Sequence, residues 1–407
     1  MKKYFLLGFI SGIIFWAISV SWIYSAINFY GAGDLISFLI SSLLILYLSL
    51  YSGLFFSGIY LFKESDFRWL ILPSLFYFLE WIKSWMISGF PWLNLGIIFD
   101  KLWGALPLVG ISGTSFIIAM IVCLLFERNL FLKLGLSAAL SILLLFGPGH
   151  YQEIDGESLD VTVIQPGDND FEKIIDLTNQ AEHDLVVWPE AVTWYDKSIS
   201  KIFENKIVIG GFFTSIDEQV YASLVNITDG HTYNKRNLVP FGEFQPFGSL
   251  LKGFNAFFNI PNSNISKGKL NQKKSYWSGL ICWELAFNET FVSRVKDTSF
   301  IIHSSNDSWY GKEMPEQHLK LARARAVESN KWVVRSTTDG MSQIISPKKD
   351  KSSKILKRGE VGSISSEIKL NEKNTLYLIY GDFPLLITCL VILLLATLQK
   401  NKIVMED

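Results

Sequence analysis

Three side chains in separate segments carry the chemistry this sequence can do. Cys282 stands in ICWELAF, 281–287, Glu190 closes LVVWPE, 185–190, and Lys235 lies in YNKRNLVPFGEF, 233–244, together with Glu243. Each alone reads as something ordinary. Free Cys is among the most buried residue types. Glu190 alone is a solvated turn residue or a helix cap, and Lys235 alone is a surface lysine. Together they make acyl transfer possible. A thiol needs a base or a lowered pKa before it attacks a carbonyl. Glu190 can supply the base. Lys235 can favour the thiolate and stabilise the oxyanion of a tetrahedral intermediate, where one donor is typically worth about 2.7–4 kcal/mol. Such a step requires no metal and no cofactor.

The cysteine count sharpens the case for Cys282. Cys123 and Cys389 fall inside apolar runs. Cys282 is left without an evident disulfide partner in what should be an oxidising compartment, which flags a reactive thiol. The histidines (His150, His183, His231, His303 and His318) show no metal-ligand spacing. A Cys–His dyad using His303 is the alternative, since partners meet in space. No P-loop, no GxGxxG after a strand and no GxSxG is present.

The elements that must position these residues are of two kinds. The chain has 407 residues, 49% hydrophobic, with a formal net charge of −1. That charge, with no basic stripe interleaved with aromatics, excludes nucleic acid as a partner. Apolar residues crowd the first 150 positions and the last 25 or so. Six runs read as membrane spans: Tyr4–Tyr24, Leu35–Phe62, Trp69–Trp85, Val109–Phe126, Leu130–Phe146 and Pro384–Leu398. Glu80 is the acidic residue well inside a run, either interfacial or functional. The first run also resembles a secretory signal peptide, but it continues to Tyr24, which favours an uncleaved span. Lys2, Lys3, Lys63, Arg68, Arg128, Lys133, Lys400 and Lys402 fall on one side if all six runs cross. The positive-inside rule then makes both termini cytoplasmic and sets residues 150–378 on the other side.

That middle reads as an α/β layered domain. Strands are expected at 160–165, 185–188, 207–211, 222–227, 279–283, 300–303, 332–337 and 342–345, and a helix at Pro315–Ser329. Glu190, Lys235 and Cys282 fall at strand ends or loops, where a rigid scaffold commonly holds active groups. Leu250, Leu251, Phe254, Phe257 and Phe258 have helical apolar spacing. They read equally as a core helix or as one dipping into a lipid interface. The expected division is a membrane domain at 1–149, a catalytic domain at 150–378, and a last span with a short tail at 379–407.

WPE at 188–190, YNKRNLVPFGEF at 233–244, ICWE at 281–284 and SNDSWYG at 305–311 together resemble the carbon–nitrogen hydrolase (nitrilase) superfamily. With the flanking spans, GFPWLNLG at 89–96 and QHLKLARARAVE at 317–328, the chain is similar to its membrane-bound branch, the apolipoprotein N-acyltransferases. The resemblance implies a nitrilase-like α-β-β-α sandwich on a membrane α-helical bundle, in the bacterial cytoplasmic membrane with the sandwich on the periplasmic side. It implies Cys282 as the nucleophile that carries the acyl chain, Glu190 as general base, Lys235 as oxyanion stabiliser, and Glu243 and Glu284 as supporting carboxylates. The implied partners are a membrane phospholipid as acyl donor and diacylglyceryl-modified apolipoproteins as acceptor. The family commonly has eight spans, and the start of this chain resembles its third. Trp283 stands where Tyr is common. The alternatives are a membrane-tethered amidase using the same triad, or a sandwich used only for binding.

Overall fold

A computed structural model of the chain describes residues 1–29, 31–203, 205–240, 242–244 and 265–406. The apolar segment at 250–258 lies outside the described residues. The chain forms two compact units, one of residues 1–24, 34–150 and 380–407, the other of 25–33 and 151–379.

The first unit is helical. Among the described residues, five helical stretches are long and apolar enough to cross a bilayer: Lys2–Ser19, Asp34–Phe62, Asp100–Leu124, Phe131–His150 and Phe383–Lys400. Residues such as Ile18, Leu35, Leu43 and Leu395 are exposed on them. That suits a lipid solvent and no aqueous one. The first two helices approach closely through small residues. A Cβ added to Gly8 would lie 2.5 Å from the Ser52 carbonyl oxygen, and one on Gly12 3.0 Å from the Ser49 Cα. Gly8 and Gly12 are spaced as GxxxG, which lets helix backbones meet. The run expected at 69–85 differs from the other five. Its helix, Arg68–Lys83, has 16 residues and holds Pro73, so it rises only about 24 Å. The chain then turns, with Ile87 at φ 62°. Glu80 is not an isolated charge. It pairs with the buried Lys83 at 2.8 Å, whose ammonium lies 4.9 Å from the Trp16 ring centre.

The second unit is a two-sheet sandwich. Its strands are β1 (Ser158–Gln165), β2 (Leu185–Val187), β3 (Thr193–Trp194), β4 (Ile207–Ile216), β5 (Gln219–Asn226), β6 (Thr232–Asn234), β7 (Trp277–Ile281), β8 (Phe300–Ser305), β9 (Val333–Thr337), β10 (Gln343–Ile345) and β11 (Gly362–Lys369). Among the described residues one sheet runs β11-β1-β2-β4-β5-β6, with β3 beside β4, and the other runs β10-β9-β8-β7. β1, β2 and β4 are parallel to one another, as are β7, β8 and β9. Their apolar, doubly buried runs are what parallel strands require. β11 is a strand the sequence did not announce. It pairs antiparallel with β1, and its Ser-rich GSISSEIK lacks the apolar alternation that marks a half-buried strand.

The sheets are tied face to face by hydroxyls. Ser304 Oγ of β8 donates to the Trp188 carbonyl at 3.0 Å, and Ser336 Oγ of β9 to that of Ile164 at 2.7 Å. Outside the first sheet, Ile174 packs with Val186, Trp188, Val208 and Phe212, and Trp188 Nε1 donates to Thr178 Oγ1. The helix Met314–Ser329 is close to the expected 315–329 and contacts the second sheet.

Candidate active site

Each expected residue sits just beyond a strand. Pro189 ends β2, because it has no N–H for the ladder, and Glu190 follows with Ala191 at φ 54°. This turn presses on β4, where the Gly211 N–H donates to the Pro189 carbonyl at 3.0 Å. A Cβ on Gly211 would lie 2.5 Å from the Glu190 Cα, so glycine is needed there. Lys235 follows β6 and its N–H donates to Ala222 of β5. Cys282 follows β7 at φ 53° and opens the 3-10 turn Cys282–Ala286. A non-glycine residue there is held by its surroundings rather than by local preference.

The charged groups converge around one ammonium. Lys235 Nζ lies 2.7 Å from Glu190 Oε1 and 2.7 Å from Glu243 Oε1. The second oxygen of Glu190 accepts the Asn306 N–H at 3.0 Å, and that of Glu243 accepts the Val239 N–H at 2.7 Å. Burial opposes the charge on Lys235, but Glu190, Glu243 and Cys282 together outweigh it and hold its pKa well above the usual lysine value. Burial raises the Glu190 pKa, Lys235 opposes that rise and Glu243 adds to it. The Cys282 thiol is buried, and its pKa is pushed up by burial and by the Glu190 charge, with Lys235 pulling the other way. The resting state is thus a neutral thiol beside a protonated lysine and a carboxylate more basic than usual. Proton transfer from sulfur to Glu190 is favourable only as the sulfur attacks.

Glu284 fastens two of these segments together. Its carboxylate accepts the N–H groups of Arg236 at 2.6 Å, Asn237 at 3.0 Å and Ile281 at 2.9 Å, and the Tyr233 hydroxyl at 3.0 Å. The next residue back, Trp283, donates its indole N–H to the Asn237 carbonyl at 2.7 Å. All five expected residues therefore meet in one region of the sandwich. The alternative dyad does not form. His303 Nε2 bonds the Cys282 carbonyl oxygen at 2.9 Å, not the sulfur. Sequence reasoning gave no role to Tyr310, whose hydroxyl lies 3.8 Å from the Cys282 sulfur. It also gave none to Asn306, whose N–H holds Glu190. Both lie in SNDSWYG, so their position in that stretch was the available signal.

Comparison with known proteins gives the ancestry. Residues 1–124 match the family model for the apolipoprotein N-acyltransferase N-terminal domain, and residues 204–372 match that for carbon-nitrogen hydrolase. A protein of Shewanella oneidensis named apolipoprotein N-acyltransferase is 30% identical over 448 residues, covering 95% of this chain and 85% of its own. The chain belongs to the apolipoprotein N-acyltransferase family. Relatives of the same name in Vibrio parahaemolyticus and Haemophilus influenzae are 29% and 28% identical, covering 98% and 95% of this chain and 90% and 84% of theirs. The hydrolase match takes in Lys235, Glu243, Cys282 and Glu284, and it begins after Glu190. Membership makes the sheet sandwich a carbon–nitrogen hydrolase fold and the chain a membrane acyltransferase.

Proposed function

We propose that this acyltransferase N-acylates the N-terminal diacylglyceryl-cysteine of apolipoproteins, taking the acyl chain from a membrane phospholipid through a thioester on Cys282. The observation that carries the reading is Lys235 held between Glu190 and Glu243 beside a buried thiol outside any disulfide. In the first half-reaction the sulfur attacks the ester carbonyl as Glu190 takes the thiol proton. The Lys235 ammonium stabilises the oxyanion. Collapse breaks the ester C–O bond, Glu190 returns the proton to the departing lysophospholipid oxygen, and the thioester remains. In the second, the free α-amino group attacks the thioester, Glu190 takes an amine proton, and the thiolate leaves and recovers it. A long acyl chain stays in the membrane because each buried CH₂ contributes about 0.8 kcal/mol.

The same reading divides the chain at 1–149, 150–378 and 379–407 into membrane domain, catalytic domain and last span, in the bacterial cytoplasmic membrane. A periplasmic catalytic domain needs an odd number of crossings before residue 150. With four long helices there among the described residues, Arg68–Lys83 has to cross as the fifth. Its Glu80–Lys83 pairing lowers the cost of that crossing.

Mass spectrometry of the full chain in detergent, after incubation with phospholipid, tests the chemistry. The expected result is an acyl adduct on Cys282 that a diacylglyceryl-cysteine peptide discharges as the amide. An adduct on no residue, or triacylated product from Cys282→Ala, overturns the mechanism. An adduct discharged by water alone would make the chain a phospholipid hydrolase and overturn the transfer to an amine, whereas the amidase alternative takes no acyl group from phospholipid.

A further inference from the structure

Behind the nucleophile lies a buried polar network that the acyl-transfer steps do not use. In the second sheet β8 and β9 are paired so that His303 stands directly opposite Arg335. Side chains alternate across a strand, and Ser304 and Ser336 point to the facing sheet through their bonds to Trp188 and Ile164. His303 and Arg335 therefore occupy the other face, with the helix Met314–Ser329 and its His318. The imidazoles of His303 and His318 lie 4.8 Å apart, edge to face. Both reach one atom: the Cys282 carbonyl oxygen is 2.9 Å from His303 Nε2 and 3.1 Å from His318 Nε2. Arg335 lies 2.7 Å from His303 Nδ1 and 2.5 Å from Asp307 Oδ2, and Asp307 Oδ1 faces His318 Nδ1 at 3.2 Å. Ser305 Oγ donates to Asp307 at 2.6 Å. All of these side chains are fully buried.

We infer that His303 and His318 are positioning residues that hold the Cys282 carbonyl, and so fix the left-handed backbone from which the sulfur attacks. The inference rests on the acyl-transfer reading above. A peptide group is planar, so the His303 bond to this oxygen, joined by His318 when its ring carries both protons, fixes the plane between Cys282 and Trp283 and leaves the cysteine little freedom to relax from φ 53°. The proton inventory follows from the partners. Arg335 is a donor only, so His303 Nδ1 accepts and Nε2 carries the hydrogen given to the carbonyl. Burial and the neighbouring Arg335 hold the His303 pKa well below its usual value, so it stays neutral and keeps this tautomer. Asp307 is held as a carboxylate by Arg335 and His318 despite its burial, so His318 Nδ1 donates to it. His318 Nε2 then donates to the carbonyl only while the ring carries both protons. Burial and Arg335 outweigh Asp307 and hold the His318 pKa below its usual value, so this second donor is present only toward acid pH.

The test uses the full chain in detergent and single-turnover acylation of Cys282 by phospholipid, followed by intact mass. Four substitutions are needed: His303→Gln, His303→Asn, His318→Gln and His318→Asn. A glutamine amide can reach the carbonyl and an asparagine amide falls short. At pH 8 His303→Asn should acylate about 10–100-fold more slowly, the scale of a misplaced reacting atom, with half-saturating phospholipid unchanged, and His318→Asn should show its slowing toward pH 6. The Gln variants should recover to within about threefold of the parent on the same scale. At pH 8 His303→Asn should be slower than His318→Asn, and the gap should narrow at pH 6. His303→Asn at the parent rate at pH 8, His318→Asn at the parent rate at pH 6, a Gln variant as slow as its Asn counterpart at that pH, or a change confined to phospholipid saturation would each overturn the inference. Absence of any adduct on the parent chain would overturn the acyl-transfer reading itself.

Discussion

The carboxylate of Glu284 accepts the backbone N–H of Arg236 at 2.6 Å, joining the residue after the lysine to the turn that begins at the cysteine. The same carboxylate serves Asn237, Ile281 and Tyr233. Removing it strands several buried donors at once, each costing about 1–3 kcal/mol. Glu284→Leu should therefore destabilise the protein by more than about 3 kcal/mol, whereas Tyr233→Phe should cost about 1 kcal/mol. Chemical unfolding in detergent measures both. A Glu284→Leu protein as stable as the parent would show that the clasp contributes nothing.

In the proposed mechanism Lys235 stabilises the oxyanion. Lys235→Met should reduce the acylation rate about 10²–10³-fold, the usual effect of losing one such donor. Phospholipid titration of single-turnover rates separates this from a binding defect. A defect seen only at low phospholipid would assign Lys235 to binding instead.

Glu243 sets the working pH of the base. Glu190 has a raised pKa from burial, moderated by Lys235 and increased by the Glu243 charge. The base form is lost as pH falls through that raised value, so the acid limb of kcat/KM should lie above the ordinary glutamate pKa, about 4.3. Glu243→Gln removes a neighbouring negative charge, so the Glu190 pKa should drop and the limb should move to lower pH. A pH–rate profile of both proteins decides it, and a shift to higher pH would refute the assignment.

The placement of the catalytic unit turns on the helix Arg68–Lys83. If it crosses, alkaline phosphatase fused after Asp66 should be inactive and fused after Asp100 active. The same activity at both fusion points would mean that the helix does not cross, and the periplasmic assignment would fail.

The sequence carried much of this on its own. Apolar runs such as DVTVIQ and LVVW are strands because a parallel sheet covered on both faces needs side chains of that kind. WPE, the lysine loop and ICWE, each ordinary alone, were legible together because their combination resembles one family's short stretches. Other features were not local. β11 pairs with β1 across some two hundred positions, and its polar pattern pointed nowhere. Arg68–Lys83 looked like its neighbours in hydropathy, and the turn beyond it limited its length. Cys282, Glu190 and Lys235 were named by their own segments, but the grip on the Cys282 carbonyl was not. His303, Asp307, His318 and Arg335 come from two strands, a loop and a helix. Only the register of β8 against β9, and the helix laid on that face, bring two imidazoles to one oxygen. Residue type and spacing determine which groups can react. Strand register and packing decide which atoms they face, because those distances are set by hydrogen bonds between segments far apart in the chain.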